Sequence, residues 1–333
     1  MWDASYHAGP RETKGGGRRG RGRALRGAAA ATPEAPQARR LAPVPAGRVL
    51  TDHGLAAFNR QHRRMFSKYV AVEGVATNYF HTGPSTLPDI TPALDQGELL
   101  LFLHGAGSNG HTWHRQLAHL ETRHSALAID FPGHGRSGSI AGLPDVDAHV
   151  RFTAALARAL ALRPCVLVGR ALGGAVALAF ALAHPERVRA LVLVATPARF
   201  ALPQASLDTW RDVTMGRATQ PFSTALFSPK ADFAVMRECF TEQVKTDPRV
   251  RYTDMLACNG LDFTARLGAL ALPTLVITGR DDHFAPPDAA EDLSRRIAGA
   301  QLVVVDDAGH MLTSEQPDAF NRAVDGFLSG LPR

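Results

Sequence analysis

Residues 169–174, with the sequence Gly-Arg-Ala-Leu-Gly-Gly, predict a tight turn that holds Ala171 where a nucleophile would stand. The turn follows the apolar run 166–168 and opens the apolar run 175–182, which indicates a strand, a glycine turn and a helix in succession. Glycines permit the strained backbone and the close approach of strand and helix that a perched nucleophile needs. A methyl group cannot attack a carbonyl, so whether the chain is an enzyme depends on this one residue.

A second glycine-rich segment, residues 104–110, follows the apolar run 99–103. Ligands of open α/β sheets bind at the carboxyl ends of strands, where this loop and the turn at Ala171 would meet. We expect the N–H groups of Ala106 and Leu172 to form an oxyanion hole, because paired donors stabilise the negative charge that develops on a carbonyl oxygen. The alternative is an ordinary tight turn. The residues predicted to bind substrate beside it are His104, Gly105, Arg170, Trp113 and Phe284.

An acid and a histidine follow the last two predicted strands. Asp282 lies just past the strand 274–278, and His310 lies on the loop after the strand 302–305. An acid in such a place can orient a histidine and stabilise its charged form, and the histidine can act as a general base. Asp281 is the alternative acid, and Asp282 would then cap the turn. His283 is expected to be a loop residue without a catalytic role.

The segment 130–137 also contains residues that could do chemistry, namely Asp130 and His134. It is rich in turn-forming residues, and an aspartate in such a loop usually accepts hydrogen bonds from neighbouring backbone. We therefore expect a structural role for this loop.

Unbroken apolar runs separated by amphipathic helices predict a mostly parallel, eight-stranded α/β sheet with helices on both faces. The first two strands form an antiparallel pair around Gly74. The predicted strands are 69–72, 76–80, 99–103, 126–129, 166–168, 190–194, 274–278 and 302–305, and the other predicted helices are 111–120, 148–162, 289–297 and 317–328.

Residues 198–265 interrupt this alternation and are helix-like, with many Phe and Met residues and no convincing strand. An insertion over the carboxyl ends of the strands is expected to be a helical cap. The predicted organisation is a basic, disordered tail over 1–64, a core over 65–197 and 266–333, and the cap over 198–265. The apolar side chains of the cap favour an apolar or aromatic acyl group in the substrate.

Charge is unevenly distributed along the 333 residues. The first 64 residues carry 13 Lys and Arg against 4 Asp and Glu, whereas the remainder carries 24 against 27. Because the body is mildly acidic, we expect no nucleic-acid binding by the core. The tail is interpreted as a dispensable extension or an upstream translation start, with Met65 as a candidate start; the alternative is an arm that binds RNA or a membrane surface.

No apolar run reaches the roughly 18 residues of a membrane span, and no secretory leader precedes the body. Three cysteines, Cys165, Cys239 and Cys258, lack metal or redox spacing, so no metal site is expected and a reducing, cytoplasmic location is favoured. The expected partner is a small-molecule substrate or ligand. The sequence specifies no oligomeric state.

These motifs together make the chain resemble the α/β-hydrolase superfamily over about residues 67–330. It is similar to small capped members with H-G-x-G, D-x-x-G-x-G-x-S and G-x-S-x-G-G motifs, including enol-lactonase-like, C–C-bond hydrolase-like and esterase-like proteins. The resemblance implies that Asp282 and His310 are the acid and base and that Ala106 and Leu172 are the oxyanion donors. It also implies a pocket between core and cap and no cofactor. Ala171 departs from the family, which has Ser, Asp or Cys there.

Three interpretations of Ala171 are open. The first is an engineered Ser→Ala change in a serine-type hydrolase of small esters, lactones or β-diketones. The second is a natural protein that binds a small molecule but has lost the hydrolytic step. The third is natural lyase, cyclase or isomerase chemistry in which a His310–Asp282 dyad moves a proton without a covalent intermediate. Ser108, Ser137 and Cys165 are poor substitutes for a nucleophile because none lies at the turn.

Overall fold

Unbroken apolar segments form the central strands of an eight-stranded sheet in the computed structural model, which describes residues 65–87 and 90–332. The strands lie in the order β1-β2-β4-β3-β5-β6-β7-β8. They are β1 (Phe66–Val72), β2 (Val75–His81), β3 (Leu99–Leu103), β4 (Ser125–Ile129), β5 (Cys165–Arg170), β6 (Val188–Val194), β7 (Thr274–Gly279) and β8 (Gln301–Val305).

The sheet is antiparallel at β1–β2 and β2–β4 and parallel in every other pairing. Every residue of β3, β4 and β5 is buried, because helices cover both faces of these strands. The register pairs Leu103 with Gly169 and Gly169 with Leu193. The carboxyl ends of β3, β5 and β6 therefore lie side by side at one edge of the sheet.

The period of two along each strand divides the core into two layers. In β3, Leu99, Leu101 and Leu103 belong to one cluster, and Leu100 and Phe102 belong to the other. Helices α2 (Val146–Ala159), α3 (Leu172–Ala183) and α7 (Pro287–Arg296) contribute to the first layer, and α1 (His114–Leu120) and α9 (Pro317–Ser329) contribute to the second. A short helix, α8 (Leu312–Glu315), precedes α9.

An insertion between β6 and β7 contains three α-helices, a 3-10 turn at Thr224–Leu226 and no strand in the described part of the chain. These helices are α4 (Gln204–Thr214), α5 (Phe233–Gln243) and α6 (Pro248–Cys258). We call residues 198–265 the insertion. Its ends are joined by an isolated bridge between Arg199 and Asp262, so the segment leaves and re-enters the core at one place.

Two predicted helices differ from the structure. The segment predicted as one helix over 111–120 begins with a 3-10 turn at Gly110–Trp113, because the side chain of Asn109 accepts the N–H of His111. The helix predicted over 148–162 begins at Val146 and ends at Ala159. Its start is set by Asp145, whose side chain accepts the N–H of Ala148 at 2.6 Å.

The other predicted strands and helices are present, with ends that move by at most a few residues. The predicted tail over 1–64 lies outside the described residues. Among the residues that the structure does describe, no helix is long and apolar enough to cross a membrane.

Candidate functional site

Ala171 lies at the junction of β5 and α3 with φ 49° and ψ −110°. This is a strained conformation for a residue with a Cβ atom, and such strain typically costs on the order of 1–3 kcal/mol. The turn is held because the Ala171 N–H donates to Val194 O at 3.0 Å. A Cβ at Gly169 would collide with the backbone of Gly173, and one at Gly173 would collide with Leu103 O. The turn therefore has the tight strand–helix contact that its sequence predicted.

His310 and Asp282 come together from the loops that follow β8 and β7. The His310 Nδ1 atom lies 2.9 Å from Asp282 Oδ2 and 3.2 Å from Oδ1. The Oδ1 atom also accepts the N–H groups of Phe284 and Ala285, at 2.8 and 3.0 Å. Burial alone would raise the pKa of Asp282, but His310 and these donors hold it below its usual value. Asp282 is therefore an ionised, fixed partner for the imidazole.

Asp281, the alternative acid, points elsewhere. Its Oδ2 atom accepts the hydroxyl of Ser228, on the insertion, at 2.6 Å. His283 is exposed. The acid that contacts His310 is thus the residue that the sequence favoured, and Asp281 joins the core to the insertion.

The loop after β3 presents Ala106 on a turn from Gly105 to Ser108. The Ser108 N–H donates to Gly105 O at 3.1 Å, and Gly107 has φ +61°. Leu172 is the first residue of α3, so its N–H has no acceptor within the helix. Because β3 and β5 are neighbours in the sheet, the two proposed donors follow adjacent strand ends.

Arg170 is a buried cation beside Ala171, with 3% of its surface exposed. Its Nη2 atom donates to Ser108 Oγ at 3.2 Å, and its guanidinium carbon lies 6.0 Å from the ring centre of Trp113. Within the described residues it forms no ion pair with a carboxylate. Burial lowers its pKa, although Asp282 and Glu315 oppose that effect.

A second arginine, Arg251, extends from α6 of the insertion. Its guanidinium lies 4.1 Å from the ring centre of Trp210, and its Nη1 atom donates to Gln243 Oε1 at 2.8 Å. Its Nε atom is buried and has no hydrogen-bond partner in the described part of the chain. Burial lowers its pKa to about 10, although the charge of Asp254 opposes the shift; the charge of Arg170 adds to it. The site therefore contains two cations that form no salt bridge with a carboxylate among the described residues.

The remaining predicted substrate contacts differ in their surroundings. Phe284 is 40% exposed, and its ring lies 5.4 Å from that of His310. Trp113 is buried against Phe102, at a ring separation of 5.0 Å, so it supports Arg170 from the core. Gly105 is buried, and a Cβ there would lie 3.3 Å from Arg170 O.

His104 is engaged within the core by both ring nitrogens. Its Nε2 atom accepts the Phe131 N–H at 3.1 Å, and its Nδ1 atom lies 2.9 Å from Gly105 O. Burial is the main reason that its pKa lies well below the usual value. His104 is therefore a neutral imidazole that ties two loops together, and a substrate contact would not involve its ring nitrogens.

Asp130 has the structural role expected of its loop. Its carboxylate accepts the N–H groups of Gly110 and Arg136, at 2.6 and 2.8 Å, and the side-chain amide of Asn78 at 2.9 Å. Burial raises its pKa in spite of these donors. Asp130 therefore fixes the start of the 3-10 turn before α1 rather than reacting.

The alternative nucleophiles are occupied or remote. Ser137 Oγ donates to Asp130 O at 2.6 Å, and Ser108 Oγ accepts from Arg170. Cys165 is at the start of β5, whereas Ala171 follows its end, and burial raises the Cys165 pKa to about 12. All three cysteines are free, and no group of three or more His, Cys, Asp and Glu residues within the described chain is arranged to hold a metal ion.

Sequence reasoning missed the residues that the insertion contributes. These are Arg251, Asp254, which accepts the Gly107 N–H at 2.9 Å, and Glu242, which contacts Asn109. The pattern around α6 contained a weak signal, since Arg251 and Asp254 are polar residues next to the buried Val250 and Met255. Only the packing of the insertion on the core shows what these side chains contact.

Comparisons with known proteins agree with this architecture. A family model described as alpha/beta hydrolase fold matches residues 98–317. The chain is 30% identical to a 2-hydroxy-6-oxononadienedioate/2-hydroxy-6-oxononatrienedioate hydrolase of Klebsiella pneumoniae, over 71% of this chain and 88% of that protein. It is 28% identical to a putative carbamate hydrolase of Azorhizobium caulinodans, over 69% of this chain and 91% of that protein.

Two solved structures are also similar. A thermophilic esterase from Thermogutta terrifontis, with malate bound, has a TM-score of 0.69 and 26% identity, and the match covers 80% of this chain and 99% of the esterase. An enol-lactonase from Burkholderia xenovorans has a TM-score of 0.69 and 24% identity, covering 78% of this chain and 99% of the enol-lactonase, which supports the fold alone. The fold class predicted from the sequence is confirmed.

Proposed function

The chain belongs to the α/β hydrolase fold family, and from this premise we propose that it acts on a small carbonyl compound by proton transfer through His310, with no acyl-enzyme intermediate. The compound is an ester, lactone or ketone that carries a carboxylate. The observation that carries the proposal is the 2.9 Å contact between His310 Nδ1 and Asp282 Oδ2, in a chain that has Ala171 at the turn between β5 and α3. A positioned base can take a proton from carbon or from water even where no side chain attacks.

The proton transfer uses the nitrogen of His310 that Asp282 leaves free. Asp282 accepts the Nδ1–H, which makes Nε2 the basic atom of the neutral ring. When Nε2 removes a proton from the carbon next to the substrate carbonyl, the electron pair of the C–H bond moves to the carbonyl oxygen. The N–H groups of Ala106 and Leu172 then stabilise the enolate, and Asp282 stabilises the imidazolium.

Arg170 and Arg251 would hold the carboxylate of the substrate. Arg170 is buried and Arg251 is partly buried, and within the described residues neither forms a salt bridge with a carboxylate. Such cations are unfavourable until an anion binds, because a buried charge needs a counter-charge. Guanidinium groups suit carboxylates because they offer paired N–H donors. A relative named as acting on dioates and an esterase with malate bound support this substrate class.

We propose that the insertion, residues 198–265, is the cap of this site and that residues 65–197 and 266–333 are the core. Contacts of Ser228 with Asp281 and of Asp254 with Gly107 support this arrangement. Closing the site in this way would exclude water from the carbonyl group.

The test is exchange of the carbon-bound hydrogens of 4-oxopentanoate in D2O, followed by proton NMR. The full chain is expected to accelerate exchange next to the ketone, and His310→Ala should abolish the acceleration. The methyl ester of 4-oxopentanoate is the matched neutral compound, and its exchange should respond much less because it lacks the carboxylate. Saturable binding of 4-oxopentanoate without exchange would contradict the proposal and leave a ligand-binding function.

A further inference from the structure

A buried carboxylate from the insertion lies directly behind the turn that carries Ala106. Asp254 Oδ2 accepts the N–H of Gly107 at 2.9 Å and lies 2.8 Å from His134 Nε2. The side chains of Asp254 and His134 are completely inaccessible to solvent. Three segments that are distant in the sequence therefore meet at one oxygen atom, and none of the three residues Gly107, His134 and Asp254 has a part in the proton transfer derived above.

The contacts of His134 define its charge. Its Nε2 atom faces the Asp254 carboxylate, and its Nδ1 atom lies 3.0 Å from Pro132 O. Both neighbours are acceptors only, so both ring nitrogens carry hydrogen and the ring is an imidazolium. Burial alone would lower the pKa of His134, but the Asp254 charge holds it above its usual value. His134 and Asp254 are thus a buried ion pair.

Other polar groups surround this pair without replacing either partner. His149 Nε2 is 4.0 Å from Asp254 Oδ1 and has no hydrogen-bond partner among the residues that the structure describes, and burial lowers the His149 pKa. The ring of His104 lies 4.7 Å from that of His134 and is neutral. Arg251, one turn earlier on α6, contributes the nearby positive charge. Among these groups, Asp254 is the only ionised acceptor for the Gly107 N–H.

We propose that Asp254 is a positioning residue, which fixes the turn bearing the oxyanion donor Ala106 when α6 packs against the core. This proposal rests on the proposed function in so far as the Ala106 N–H receives the developing charge. The Gly107 N–H belongs to the central peptide of the turn from Gly105 to Ser108. Gly107, the third residue of the turn, has a positive φ, as in a type II turn. A type II turn differs from the commoner type I turn in the orientation of the central peptide, so an acceptor for the Gly107 N–H favours one of the two turns.

The stem of Arg251 packs over the same peptide. A Cβ at Gly107 would collide with the Cβ, Cγ and Cδ atoms of Arg251, so only glycine fits beneath α6. One helix therefore places both a candidate anion-binding guanidinium and the carboxylate that holds the turn. Packing of α6 against the core would therefore also fix the turn that carries the proposed oxyanion donor.

The first measurement is hydrogen exchange of the Gly107 amide in the full chain. Labelling with carbonyl-¹³C alanine and ¹⁵N glycine restricts the spectrum to the six Ala–Gly peptides. Asp254→Ala removes the acceptor and should lower the protection of Gly107 roughly 10–150-fold, as expected for a hydrogen bond to a charged group. Asp254→Asn retains an oxygen acceptor, so the protection of Gly107 should stay within about tenfold of that in the parent chain, which is the lower end of the range expected for Asp254→Ala.

The second measurement is hydrolysis of p-nitrophenyl butyrate by the same variants in an Ala171→Ser background. Asp254→Ala is expected to lower kcat at least about tenfold while KM stays nearly constant. The loss is smaller than for deletion of an oxyanion donor, because the Ala106 N–H is displaced and not removed. Asp254→Asn should restore most of kcat. If Asp254→Ala does not fold, the double variant with His134→Phe removes both charges and carries the same expectation. Asp247→Asn, at the exposed start of α6, is the control.

Unchanged Gly107 protection in Asp254→Ala would overturn the proposal, as would lost protection with an unchanged kcat. Because this test uses ester hydrolysis by a serine, it is independent of the 4-oxopentanoate experiment. A chain that fails to exchange 4-oxopentanoate but shows the expected loss and rescue of kcat would contradict the proposed function alone.

Discussion

His310 Nδ1 and Asp282 Oδ2 lie 2.9 Å apart although 28 residues separate them in the chain. The contact requires β7 and β8 to be parallel neighbours, since both residues follow strand ends. Asp281, one residue away, is bonded to Ser228 instead. The adjacent carboxylates of Asp281 and Asp282 therefore have different hydrogen-bond partners, and they provide a matched pair of variants.

Asp282→Asn should lower the His310-dependent exchange of 4-oxopentanoate roughly 10²–10⁴-fold, the range that a positioned general base contributes. The amide would leave His310 without the charge that orients its Nδ1–H and stabilises the imidazolium. Asp281→Asn should stay within about threefold, because it disturbs only the contact with Ser228; a threefold change is less than about 1 kcal/mol. Equal losses in both variants, measured by proton NMR, would contradict the assignment of Asp282 as the acid.

Ala171→Ser should convert the chain into a serine hydrolase that reacts covalently with a fluorophosphonate. The φ of 49° already holds the residue in the strained conformation of the turn, so the substitution adds one oxygen atom to an existing site. Intact-protein mass spectrometry should show one adduct in Ala171→Ser and none with His310→Ala added, because the histidine activates the hydroxyl. Equal labelling of the chain with Ala171 would identify another nucleophile.

Arg170→Met should weaken anion binding while leaving the fold as stable as before or more so. Loss of charged hydrogen bonds predicts roughly a 10–150-fold weaker affinity for succinate, measured by calorimetry. Removal of a buried cation that has no acidic partner among the described residues should preserve or raise the melting temperature. Arg249→Met is the control, since that side chain on α6 is 68% exposed and pairs with Asp247. Unchanged succinate affinity in Arg170→Met would contradict a carboxylate site at this position.

Much of the fold could be predicted because the strands are unbroken apolar runs with clear ends. The segment 99–103 is a strand as predicted, and Asp282 and His310 lie on the loops after β7 and β8, where the sequence placed them. Helix ends are harder to predict, since they depend on individual capping residues such as Asp145 and on single backbone conformations such as that of Ala161, which has φ 49°. A periodic pattern does not contain that information.

The contribution of the insertion could not be read from the sequence. Arg251 and Asp254 contact Gly107 across more than 140 residues, through packing of a helix whose apolar pattern does not specify its partner. The sequence predicts a structural loop around His134, and the ion pair of His134 with Asp254 becomes visible only when α6 is placed. Long-range polar contacts of this kind follow from tertiary packing rather than from local sequence.

A pH-dependent contact joins the insertion to the core at Glu242. Its carboxylate lies 2.6 Å from Lys245 Nζ and 3.4 Å from His111 Nδ1, and it accepts from Asn109 at 3.2 Å. Burial alone would raise the Glu242 pKa, but the contacts with His111 and Lys245 lower it to about 2. Because the folded pKa lies below the unfolded value, the contact stabilises the folded chain above the unfolded pKa of about 4.3.

We therefore expect the contribution of Glu242 to disappear as the pH falls from about 4.3 to about 2. The measurement is the free energy of urea unfolding of the parent chain and of Glu242→Gln across this range. Glu242→Gln should be less stable at neutral pH, and the difference should shrink as acid protonates the carboxylate in the parent. Glu291→Gln, in an exposed pair with Arg295, should show little difference at any pH, as expected for a surface ion pair. A constant difference between the parent and Glu242→Gln down to pH 2 would mean that the side chain stabilises the contact by packing and not by its charge.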